Sequence, residues 1–108
     1  MNNLILELLD KLGRRVELIR KEVIKRSPID KFDIQIYDEI NDHSYFMFCR
    51  KEKEATYLYR YNEEGLIEPF MCYDLTLRQI ELFLSDITVK IIEGYNHNGP
   101  IIIDEFCI

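Results

Sequence analysis

Tryptophan is absent from this 108-residue chain, glycine occurs only four times, and proline and cysteine three times each. Four isolated glycines cannot build a P-loop or a dinucleotide fingerprint, both of which need glycines clustered in one turn. Scarce Gly and Pro beside 47% hydrophobic residues also exclude a low-complexity or disordered chain. No apolar run approaches the roughly 20 residues that a spanning helix requires. Met1-Asn2-Asn3 carries no positive charge, and Glu7 and Asp10 break up the apolar residues that follow, so no signal peptide is expected. The expected compartment is the cytoplasm.

Local ligand pairs are missing as well. Cys49, Cys72, Cys107, His43 and His97 form neither a C-x-x-C nor an H-x-x-x-H spacing, the patterns that mark a zinc site. Three separated cysteines in a chain without a secretory signal read as three reduced thiols, with no metal and no cofactor. There is no G-x-S-x-G elbow. His43 lies near Asp42 and six residues before Cys49, but a turn histidine beside a buried thiol explains this more simply than a dyad. The acid pairs Asp38-Glu39, Glu63-Glu64 and Asp104-Glu105 fall at strand ends and turns, where carboxylates are solvated. Acid–base catalysis needs carboxylates driven apart in pKa within a cleft. The expectation is a non-catalytic protein without catalytic residues.

What is present begins with a strong helical period. Ile5, Leu9, Leu12, Val16, Ile19 and Val23 alternate steps of four and three, and Leu4, Leu8 and Ile24 widen the seam. Glu7–Lys11, Asp10–Arg14, Glu17–Lys21 and Glu22–Arg26 place acid before base at i,i+4, the favourable order. Gly13 weakens this helix by about 1 kcal/mol relative to Ala. Ser27-Pro28 ends it, since a residue before proline avoids helical backbone.

From Phe32 the period becomes two. Phe32, Ile34 and Ile36 alternate with polar residues, and Asn41-Asp42-His43 turns the chain into Tyr45–Cys49, a run apolar on both faces. Lys51–Glu54 makes a charged connection to a third strand at Thr56–Tyr61, and Asn62–Gly65 turns into a fourth at Leu66–Tyr73. Pro69 cannot donate a ladder bond, so that strand belongs at an edge or carries a bulge. Thr76 and Gln79 have capping-box spacing, with Leu75 and Ile80 as a staple, so a second helix starts there. It could run on to Gly94, but the β-branched Ile87–Ile92 favours a strand, followed by a turn at Asn96–Gly99 and a last strand. The fold expected is α+β: one small domain over 1–108, in the order α-β-β-β-β-α-β-β. Its parts are a helix at about 3–26, an antiparallel meander at about 32–73, a helix at about 77–86 and a hairpin at about 87–108. Both helices should pack on one face of the sheet.

Charge and aromatics carry the functional expectation. Met1–Arg26 holds seven Lys/Arg against four Asp/Glu, or +3, and the rest holds seven against sixteen, or −9. A body of that charge repels nucleic acid and suits a basic protein surface. The first helix offers a basic foothold, but i−4 acids match Arg14, Lys21 and Arg26, leaving Arg15, Arg20 and Lys25; nucleic acid is not the expected partner. Seven tyrosines occur, and Tyr57, Tyr59 and Tyr61 share one face of one strand, which Tyr45 joins if the neighbouring register suits. Tyrosine combines large area with a polar tip and is enriched at interfaces; the stripe either docks a partner or packs under a helix. The expectation is a small acidic binding module of the inhibitor, immunity or phage-encoded antagonist type, contacting a basic protein through Tyr57, Tyr59, Tyr61, Glu63 and Glu64. The alternative is a homo-oligomeric structural or regulatory module, a homodimer through Ile5, Leu9, Leu12, Val16, Ile19 and Val23.

Overall fold

The computed structural model describes residues 2–53 and 55–108, so Glu54 of the predicted charged connection lies outside the described residues. Helix α1 spans Asn2–Arg26, and the ladder runs β1 (Lys31–Asp38), β2 (His43–Glu52), β3 (Ala55–Tyr61) and β4 (Ile67–Pro69). Helix α2 (Leu77–Leu84), β5 (Thr88–Asn96) and β6 (Gly99–Cys107) follow. The sheet order is β4-β3-β2-β1-β5-β6, with every neighbour antiparallel. The meander thus grows outward from β1 on one side, and the C-terminal hairpin adds to its other side. The α+β class and the element order are those the periodicities predict.

Local chemistry sets the ends. Thr76 accepts from the Gln79 N–H at 3.2 Å and Gln79 returns a bond to the Thr76 N–H at 2.9 Å, which starts α2 at the predicted residue. Residues 88–92 are strand, as their β-branching favours. The fourth strand is much shorter than Leu66–Tyr73. After Phe70, whose N–H still bonds the Leu58 oxygen of β3 at 3.0 Å, the chain leaves the sheet through a single 3₁₀ turn, Cys72–Asp74, as the Phe70 ring packs inward against Tyr45 and Phe83. At the turn after β3, Gly65 sits at φ +78°, a conformation that side-chain-bearing residues resist.

Leu12, Val16, Ile19 and Val23 from α1 and Leu82 and Phe83 from α2 pack with Phe32, Ile34, Ile36, Met47, Cys49, Val89 and Ile91 in one core. The paired residues Ile34–Met47 and Ile34–Ile91 place those strand positions on the same side, so both helices cover one face. The seam overshoots the sheet, however. Leu4, Ile5 and Leu6 are 74, 58 and 62% exposed, whereas Leu12 and Val23 are fully buried. A homodimer seam through all six predicted positions is therefore not available: the core takes Leu12, Val16, Ile19 and Val23, and of the six only Ile5 and Leu9 stay open.

The helix cations are also redistributed. Arg15, expected unpaired, donates to the main-chain oxygens of Phe83 (2.9 Å), Ser85 (2.6 Å) and Ile108 (2.6 Å). Glu17 turns to Arg20, at i+3, rather than to Lys21. Asp10–Arg14 and Glu22–Arg26 form as predicted, and Arg26 also reaches Asp104. The basic foothold for nucleic acid shrinks accordingly.

The β4 edge is blunted against strand addition, and the β6 edge is interrupted at two points. β4 is three residues long and ends on Pro69. On β6, Pro100 has no N–H, and the Glu105 N–H, which the pairing directs to the free edge, is taken by Asp104 Oδ1 at 2.8 Å.

Candidate protein-docking face

The side of the sheet away from the helices has no helix packed on it, although Ile92 within it is buried. Register assigns it residue by residue: Phe48 opposes Asp33 and Tyr59, Phe46 opposes Gln35, and Arg50 opposes Lys31 and Tyr57. Tyr57, Tyr59 and Tyr61 all point to this side, so they do not pack under a helix. An antiparallel sheet with one solvated face ordinarily shows polar residues there. Here the outward positions of β2 and β3 are mostly aromatic, and Phe46 and Tyr57 remain 43 and 45% exposed.

Tyr45 does not join the stripe. It pairs with Ile36, on the helix side, where its ring meets Phe83 edge-on at 5.4 Å. The alternation of β2 instead brings up Phe46 and Phe48, and the Phe48 and Tyr59 rings lie 6.2 Å apart. Sequence reading missed these two phenylalanines because β2 is apolar at both parities. The three tyrosines also differ among themselves. Tyr61 donates to Asp33 Oδ1 at 2.6 Å, reaching across β2 to β1. Burial first, and the bond to Asp33 second, raise its phenol above the ordinary range. Tyr95 comes close from the other side, its phenol raised by burial and then by the Asp33 charge.

Glu63 and Glu64 do not sit among the rings. They are exposed in the β3–β4 turn, beyond the end of the tyrosine strand. Asn62 shapes that turn, its side-chain oxygen accepting from the Glu64 and Leu66 N–H groups at 2.9 Å each. The face itself is of mixed charge: Arg50 pairs with Glu52 at 3.2 Å, and the Lys90 ammonium lies 5.6 Å from the centre of the Tyr37 ring. Asp33 apart, acidity belongs to the rim and to the whole molecule rather than to the aromatic centre.

Elsewhere the chemistry is sparse. Among the described residues no group of three or more His, Cys, Asp or Glu side chains is gathered for a metal. Cys49 is fully buried on the helix side, and burial pushes its thiol up to about 11. His43 contacts Arg78 at the start of α2, while Cys49 points into the core. None of the described helices is long and apolar enough to cross a membrane.

Fold and face together define a two-layer α+β domain, helices on one side and an uncovered aromatic sheet on the other. Comparison with known proteins finds no matching family model, no matching curated protein and no matching solved structure.

Proposed function

We propose that this chain is a small, acidic, non-catalytic protein-binding module that docks its bare sheet face on a basic partner protein, in the manner of inhibitor, immunity or phage-encoded antagonist proteins. The observation that carries the reading is the cluster Phe46, Phe48, Tyr57 and Tyr59 on an outward face that would otherwise be polar. Large rings with few rotors supply contact area at low entropic cost, which suits them as anchors. The three-residue β4 edge that ends on Pro69, and the interruptions of β6 at Pro100 and Glu105, favour the face over strand addition as the route to a partner. The net charge of −6 and the exposed Glu63 and Glu64 beside Tyr61 steer a basic surface toward it.

The test takes the partner captured from the native host and measures association and dissociation separately. Tyr59→Ala and Tyr57→Ala are expected to speed release, whereas Glu63→Gln mainly slows arrival, and arrival slows further with salt. Salt-insensitive association removes the acidic-steering half. A partner that leaves the tyrosine variants no faster than wild type removes the docking half.

One observation favours a second reading, assembly of copies through α1: Leu4, Ile5, Leu6 and Leu9 overhang the core. Light scattering decides it, since an Ile5→Asp, Leu9→Asp variant converts a dimer to a monomer only if that overhang is the contact.

A further inference from the structure

Across the middle of the open face, register lines up Pro69, Tyr59, Phe48, Asp33, Ile92 and Ile102, one from each strand. Asp33 is the single charged member of that row. Its Oδ1 accepts the Tyr61 hydroxyl, and none of the ion pairs among the described residues includes it. Of the cations on the same face, Arg50 pairs with Glu52 and Lys90 lies over the Tyr37 ring, while Lys31, the same-side neighbour of Asp33 along β1, is in none of those ion pairs. Any protein that covers the aromatic centre therefore also buries a carboxylate that no ion pair of the described residues neutralises, and an uncompensated buried charge is among the costliest events at an interface.

We propose that Asp33, flanked by Phe48, Tyr61 and Tyr95 with Tyr59 beyond Phe48, receives an arginine side chain of the partner; the inference rests on the docking reading above. A guanidinium fits better than an ammonium. It is planar, weakly hydrated, stacks on aromatic rings and can donate to a carboxylate at the same time. Tyr61 holds one carboxylate oxygen in place, so the acceptor is oriented before the cation arrives.

The probe is N-acetyl-arginine amide titrated into the ¹⁵N-labelled full chain, with the lysine and glutamine analogues as comparisons. Saturable shifts confined to Asp33, Phe48, Tyr59, Tyr61 and Tyr95 are expected for arginine, weaker ones for lysine and none for glutamine. Asp33→Asn should weaken the arginine response about fivefold or more, while Glu81→Gln, exposed on the outer side of α2, leaves it unchanged. Should Asp33→Asn fail to fold, the wild-type comparison of arginine with glutamine decides. A glutamine response equal to arginine, a lysine response equal to arginine, shifts scattered over the surface, or an unaltered Asp33→Asn titration overturns the assignment. Each of those outcomes leaves the docking reading intact, because that reading is judged by partner release from Tyr57→Ala and Tyr59→Ala.

Discussion

Removing Arg15 should be among the most damaging single changes at a residue that is not itself core. α2 ends at Leu84, and a helix end leaves carbonyls without intrahelical partners. The Arg15 guanidinium takes up the Phe83 and Ser85 oxygens there and adds that of Ile108, tying α1 to α2 and to the end of β6 with contacts of 2.6–2.9 Å. A hydrogen bond from a charged donor is worth about 1.5–3 kcal/mol, but three on one fork are not additive, and water can reach half-buried carbonyls. Arg15→Ala should therefore cost about 2–4 kcal/mol, read as a drop in Tm of roughly 10–20 °C for a domain of this size. Arg15→Lys keeps the charge but loses the fork and should recover less than half of that. Arg14 is the internal control. Its bond to Asp10 is 79% exposed on the arginine side, so Arg14→Ala should cost below about 0.5 kcal/mol. Urea unfolding of the three variants measures the series. Equal costs for Arg14→Ala and Arg15→Ala, or full rescue by lysine, would refute the reasoning.

Other expectations follow from burial, backbone and charge. Leu12→Ala should cost about 2–5 kcal/mol because the side chain is fully buried, whereas Ile5→Ala, in the overhang, should cost far less in the monomer; chemical denaturation separates them. Gly13→Ala should stabilise by about 0.5–1 kcal/mol, since a Cβ there meets nothing within 4 Å and the helix gains propensity; a loss of stability would count against a continuous α1. The Asp38 carboxyl is held below its usual range, chiefly by the Asn41 side-chain amide, then by the Asn41 and Ile40 N–H groups and His43, with burial opposing. A folded pKa below the unfolded one stabilises above about pH 4 and is lost as pH falls through the folded value. Asp38→Asn should accordingly flatten the acid limb of the stability curve, and an unchanged limb in pH-dependent melts would contradict this.

Sequence alone determined the kinds of element and most of their limits, because those are set by near neighbours. The change of period at Ser27-Pro28, the Thr76–Gln79 box and the β-branching of residues 87–92 act within a few residues of themselves. Pro69 marked an edge strand for the same local reason, although where that strand gives way was decided by the Phe70 ring seeking Tyr45 and Phe83 across the fold. Tertiary structure alone decided the rest. A heptad seam reads the same whether it meets a sheet, a partner or water, so nothing local separates Leu12 from Ile5; only the reach of the sheet does. Parity groups Tyr57, Tyr59 and Tyr61 but is silent on which face the helices cover. The partners of Arg15 lie 68–93 residues away, and Asp33 meets Tyr61 only because β1, β2 and β3 are ranked in that order. Spacing along the chain fixes which residues share a side, and long-range packing fixes what each side faces.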